Sequence, residues 1–142
     1  MAHQPAGEAA PATTWPLVVW AARLTVYFLA QGALVLLAYA YYGFDSDPES
    51  FALGFRIDPL LAVLNLLWGA AGAYIGFFRP RYALPFVLAC AAFYLALAGL
   101  GSFAPYHLGM RLGGSVALFH WLISLPALAI ALYALWRKRH WR

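Results

Sequence analysis

Residues 58–76 read DPLLAVLNLLWGAAGAYIG, an apolar run with one charge at its start and one amide inside it. As a helix at about 1.5 Å per residue it reaches ~30 Å, the hydrocarbon thickness of a bilayer. Three more apolar runs of comparable or greater length take up most of the remaining chain. Lipid offers no partner to backbone N–H and C=O groups, so consecutive runs of this kind are expected to cross a membrane as helices. The fold class expected is an all-α polytopic membrane protein, an antiparallel four-transmembrane-helix bundle.

Composition agrees. The chain has 142 residues, 65% of them hydrophobic and 10% charged, whereas soluble domains are about half apolar and about a quarter charged. The formal net charge of +4 does not point to nucleic acid, because the basic residues flank apolar runs instead of forming a patch. The single cysteine, Cys90, sits inside an apolar run. It excludes an intramolecular disulfide and CxxC redox chemistry, and it reads as a core thiol.

Taken in order, residues 1–15 are expected to form a disordered cytoplasmic tail, Ala- and Pro-rich and without periodicity. The transmembrane domain is expected over 16–137, with spans at about 16–42, 58–78, 82–101 and 113–136. Arg23 lies inside the first span, where its stem can carry the charge back to the surface. Ala38-Tyr39-Ala40 resembles a small-x-small cleavage site. With no basic residue before Arg23 and Gln31 interrupting the run, the segment reads as a retained span. An acidic loop with Asp45, Asp47 and Glu49 follows. Asp58-Pro59 then opens span two as an N-cap and a first-turn proline. Arg79-Pro80-Arg81 is a short basic turn, so spans two and three are antiparallel neighbours. Span three carries Ala89, Ala92, Ala96 and Gly99 as a small face of its own. Residues 102–112 form a loop, Gly113-Gly114 opens span four, and residues 138–142 form a basic cytoplasmic tail.

Basic residues set the orientation. With the N-terminus inside, Arg23, Arg79, Arg81, Arg137, Lys138, Arg139 and Arg142 fall on the cytoplasmic side, and Arg56 and Arg111 fall outside. The acids Asp45, Asp47, Glu49 and Asp58 fall outside too. The C-terminal basic cluster is expected to lie against anionic lipid headgroups.

Asp58, Ala62, Asn65, Gly69, Gly72 and Gly76 recur at steps of four and three, so they share one face of span two. Gly69, Gly72 and Gly76 are its helix-packing part, serving contacts within the bundle or, alternatively, a homodimer. Span four repeats the pattern with Gly113, Ala117, His120, Ser124, Ala127 and Ala131. Residues 62–69 align with 117–124, which suggests a tandem repeat of two helix pairs. The alignment places Asn65 and His120 at similar depth, about 10 Å below the outer surface, facing each other. Asn65, His120, Ser124 and Asp58 form the candidate intramembrane polar layer.

These motifs also carry a resemblance. D-P-x-x-x-x-x-N-L-x-x-G-x-x-G from Asp58 to Gly72, a third helix with Phe93-Tyr94-Leu95 through Gly99 and Gly101, and Leu118-Phe119-His120-Trp121-Leu122 are similar to sequences of the bacterial four-helix membrane proteins of domain-of-unknown-function family 4383. The resemblance spans about residues 16–137. It implies a bacterial inner-membrane location and the four-helix fold, and it implies no activity. In that family a histidine is common where this chain has Asn65, and His120 keeps the second.

Among chemical readings, haem ligation needs axial histidines at matched depth, and His107 lies in a loop above His120. Zinc needs three or four ligands close together, and Asp58, His107 and His120 are spread in depth. His120 reads either as a neutral imidazole bonded across the bundle or as a functional group in a membrane path. Gln31 reads as interhelical glue, and Trp68 and Trp121 as packing around the layer or as walls of a pocket for a quinone or lipid tail. The function expected is a non-enzymatic structural, accessory or interaction subunit of a membrane assembly, without a cofactor, as a homo-oligomer or within a larger complex. The alternative is a small oligomeric transporter or channel lined by Asp58, Asn65 and His120.

Overall fold

The computed structural model describes residues 16–42, 51–52, 55–56 and 58–140. The expected tail at 1–15, the acids Asp45, Asp47 and Glu49, and Arg142 lie outside the described residues. Helix α1 is Pro16–Leu24 and α2 is Val26–Tyr42. Strands β1 (Phe51–Ala52) and β2 (Phe55–Arg56) pair antiparallel ahead of α3, Pro59–Phe78. A 3₁₀ turn, Pro80–Tyr82, leads into α4, Ala83–Phe103. Strands β3 (Tyr106–His107) and β4 (Met110–Arg111) pair antiparallel before α5, Ser115–His140. Among the described residues four helical segments are long and apolar enough to cross a membrane: Pro16–Tyr41, Pro59–Phe78, Pro80–Phe103 and Ser115–His140.

The first segment, expected as one helix, breaks at Thr25. The Thr25 backbone N–H turns back to the Ala22 carbonyl at 3.3 Å, and its hydroxyl donates to the same carbonyl at 2.7 Å. A Thr side chain competing for a carbonyl of the preceding turn is a recognised cause of such bends. The loop 102–112 also proves ordered. Leu108 (φ 54) and Gly109 (φ 75) make the two-residue hairpin turn between β3 and β4, a turn that demands positive φ at both central positions. Gly114 (φ 63) sits in the same left-handed region, so α5 starts at Ser115 and not at Gly113. It runs through Trp136 to His140, which places Arg137, Lys138, Arg139 and His140 in the last turn, where cations favour the helix dipole.

Helix α2 packs along α3 and α4 along α5, while α1 bridges α3, α4 and α5. The α2–α3 and α1–α3 contacts are backbone-close because of glycine. A Cβ at Gly69 would strike the backbone of Leu29, one at Gly72 would strike the Thr25 hydroxyl, and one at Gly76 would lie 2.8 Å from Cγ of Arg23. From the other side, a Cβ at Gly32 would lie 2.5 Å from the Ala62 carbonyl. The expected packing face of Gly69, Gly72 and Gly76 is therefore occupied within the chain.

Arg23 closes this contact. Its Nε donates to the Gly76 carbonyl at 2.9 Å. The residue four positions on is Pro80, which has no N–H to give, so Arg23 supplies the missing donor. Its guanidinium also lies over Trp20 (5.3 Å) and Phe77 (5.1 Å). Instead of only carrying its charge to the surface, Arg23 joins α1 to the last turn of α3.

The core gathers Val18, Ala22, Phe28, Phe86, Val87 and Tyr94 around the α1–α4 contact. Large apolar side chains also cover the outside: Leu34, Leu37, Leu67, Leu118 and Leu122 are all more than half exposed. The small face of α4 makes no close contact among the described residues. Ala89, Ala92 and Ala96 of α4 face outward, and the space around Gly99 is open to 4 Å. The buried face of α4 is instead Phe86, Val87, Cys90, Tyr94, Leu97 and Gly101. Ala83, Ala91 and Ala98 are buried on this face as well, and a Cβ at Gly101 would strike the backbone of Leu112.

Candidate functional site

Asn65 stands two turns into α3 and is 3% exposed. Its Nδ2 donates to Oε1 of Gln31 on α2 at 3.2 Å, and its Oδ1 accepts from the Tyr94 hydroxyl on α4 at 2.6 Å. One amide thus links three helices. Where no water competes, an amide that finds both a donor and an acceptor becomes a cross-link. Tyr94 is 1% exposed. Its ring stacks on Phe28, with centroids 4.7 Å apart and planes 14° apart, and meets the His120 ring at 5.2 Å.

His120 is as buried as Tyr94. It does not meet Asn65 directly, because the Tyr94 ring contacts it while the Tyr94 hydroxyl reaches the amide. The Nδ1 atom of His120 is buried and has no hydrogen-bond partner among the described residues. Buried polar atoms are nearly always bonded, so this atom is the exception within the layer.

Ser124 is buried one turn further along α5, and its hydroxyl donates to the His120 carbonyl of its own helix. It adds nothing across the bundle. Asp58 belongs to a different structure. Its Oδ1 accepts from the Leu61 N–H at 3.0 Å, the N-cap bond, and its Oδ2 accepts from the Arg111 N–H at 2.8 Å. One carboxylate therefore caps α3 and fastens the β3–β4 hairpin to it. Seven residues separate it from Asn65, about 10 Å along a helix. The four residues expected as one polar layer divide into a cap, a helix-local bond, and the pair Asn65 and His120 on either side of Tyr94.

Tyr94 is the residue that the sequence pattern did not single out as a site. A hydroxyl in mid-run, where every polar group needs a partner, was the available signal. Gln31, read as glue, bonds to Asn65. Trp68 packs on Phe86 (5.7 Å) and Phe93 (5.3 Å), and Trp121 donates to the Ser102 hydroxyl at 3.1 Å. Neither lines the cavity that lies between α1, α2, α4 and α5. His107 is exposed in the hairpin. Among the described residues no three His, Cys, Asp or Glu side chains gather as metal ligands.

Comparison with known proteins yields no matching family model, no matching curated protein and no matching solved structure.

Proposed function

We propose that the chain is a multi-pass protein of a bacterial inner membrane, an antiparallel four-helix bundle with both termini cytoplasmic, and that it acts as a non-enzymatic accessory or interaction subunit of a membrane assembly. The resemblance to domain-of-unknown-function family 4383 is part of this reading. So is a tandem repeat: Ala62, Asn65 and Gly69 of α3 and the aligned Ala117, His120 and Ser124 of α5 are all buried. Basic residues crowd the end of the molecule where α3 stops, α4 starts and α5 ends, which supports the orientation.

One observation carries the functional reading. The glycines Gly69, Gly72 and Gly76 of α3 are consumed inside the chain, whereas on α4 the row Ala89, Ala92, Ala96 and the open Gly99 points outward, opposite the buried Ala91 and Ala98. Helices associate in lipid through close backbone approach over small residues, since hydrophobicity gives no drive there. This face suits a helix of another subunit. The interior polar groups support the same reading, because Asn65, Tyr94, Gln31 and Asp58 are engaged in holding elements together.

To test it, cysteine is placed at Ala92 or Ala96 with Cys90→Ala, and native membranes are treated with a bifunctional thiol–amine cross-linker. The reading expects a discrete adduct with a second protein, lost when Ala89 and whichever of Ala92 and Ala96 does not carry the cysteine are replaced by leucine in a chain that still inserts. Only uncross-linked chain at both positions would overturn it.

The unbonded Nδ1 of His120 favours the second reading, a small transporter or channel. That reading expects cysteine at position 120, in the Cys90→Ala background, to react with a charged, membrane-impermeant thiol reagent. The accessory reading expects no reaction.

A further inference from the structure

A cavity of about 440 Å³ lies between α1, α2, α4 and α5. Its inner wall is Phe28, Val87, Cys90 and Tyr94, and its outer wall includes Leu24, Tyr27, Leu122 and Pro126. Leu24, Tyr27 and Leu122 are each half or more exposed, so the cavity opens sideways, toward the hydrocarbon of a bilayer. We infer that this cavity binds one acyl chain of an anionic phospholipid from the leaflet at the basic end of the bundle. The inference rests on the membrane insertion proposed above.

The lining chemistry selects hydrocarbon. Four lining residues carry hydroxyls: Tyr27 at the half-exposed outer wall, and Thr25, Tyr94 and Ser124, which are buried. Thr25 donates to the Ala22 carbonyl, Tyr94 to Asn65 and Ser124 to the His120 carbonyl. With these donors committed, a ligand's carbonyl or headgroup placed there would lose its hydrogen bonds. A quinone ring, which needs donors at its oxygens, fits this lining less well than a saturated chain.

Depth selects the leaflet. The short turn at 79–82 joins α3 to α4, and the Arg23–Gly76 bond brings α1 to the same end. Ile130, in the C-terminal half of α5, shares the cavity with Ala21 and Phe86 near that end. Along α4 the cavity runs from Phe86 to Tyr94, three to eleven residues past Ala83, hence from about 5 to about 16 Å below the end of the helix. That is one leaflet's share of a ~30 Å hydrocarbon core. The interface above it carries Arg79, Arg81, Lys138 and Arg139, all exposed. A phosphate there gains from the positive charge while its chain descends into the cavity.

The test uses the full chain in vesicles of phosphatidylglycerol or phosphatidylcholine, each doped with the same lipid bearing a diazirine in one acyl chain. After irradiation, adducts are mapped by peptide mass spectrometry. The expected result is labelling of Cys90, Tyr94 and Ala127 severalfold above the outward residues Ala89, Ala92 and Ala96, stronger with phosphatidylglycerol than with phosphatidylcholine. Ala91→Phe, which fills the cavity, should reduce it to the level of the outward face. Should that variant misfold by circular dichroism, Ala127→Leu at the cavity's outer half serves instead. Uniform labelling of inner and outer residues, equal labelling by the two lipids, or labelling unchanged by the filling variant overturns the inference. Release of the wild-type chain from membranes by alkaline carbonate would instead defeat the membrane reading beneath it.

Discussion

At the scale of single residues, Tyr94 does most to hold the interior together. Its ring stacks on Phe28 and is met by His120, and its hydroxyl reaches Asn65. Tyr94→Phe keeps the ring and removes one hydrogen bond, which leaves the Asn65 Oδ1 without its donor. Interhelical bonds in membranes average ~0.6 kcal/mol and reach ~1.7. Because this one leaves a buried acceptor unpaired, Tyr94→Phe is expected near the upper end of that range. A double-mutant cycle with Asn65→Leu, read by unfolding in mixed micelles, should show coupling of similar size; additive losses would contradict the bond. Asp58→Ala is expected to cost about 1–2 kcal/mol through the lost cap. It should also raise protease cleavage at Leu108-Gly109, since the hairpin loses the Arg111–Asp58 bond. Asn65 and His120 were legible from the sequence as buried polar residues at matched positions. Tyr94 between them was not, because helical periodicity assigns faces and does not say which aromatic ring fills the space between two helices.

At the scale of elements, the same kind of residue plays opposite roles on two helices. Glycines of α3 admit Leu29, Thr25 and Arg23 to the backbone, while Ala89, Ala92 and Ala96 of α4 face away from the core. Gly72→Leu is therefore expected to abolish folding-dependent yield in detergent. In Gly72→Ala the new methyl meets the Thr25 hydroxyl, so Thr25→Ala should restore part of the loss. Ala96→Leu is expected to leave monomer stability within about 0.5 kcal/mol, as for a substitution away from packed contacts. Equal damage from Gly72→Leu and Ala96→Leu would contradict the assignment of inner and outer faces. The inner face of α3 was readable because its glycines coincide with a capped helix start and a polar amide. On α4, small and large residues lie on both faces, so spacing alone could not decide which face turns inward. The Thr25 break was also hidden, since β-branched residues are common in apolar helices and the bend comes from one hydroxyl finding one carbonyl.

At the scale of the whole molecule, four apolar helical segments were legible from run length and composition alone, because a helix's reach and a bilayer's thickness are fixed lengths. The pairing of helices was only partly legible: a short turn dictates that α3 and α4 are neighbours in the chain, but α3 packs most extensively against α2. The orientation proposed from the basic residues makes its own prediction. A fluorescent protein fused after Arg142 should fluoresce as a cytoplasmic fusion does, and cysteine at His107, with Cys90→Ala, should react with an impermeant thiol reagent from outside intact cells; the reverse pattern would invert the topology. The proposed function rests on the outward α4 face, and native mass spectrometry of the tagged chain, gently extracted from its own membrane, tests that most directly. The account predicts a foreign subunit bound in stoichiometric amount and lost in Ala92→Leu/Ala96→Leu. A lone monomer, or a homo-oligomer unaffected by those substitutions, would contradict it.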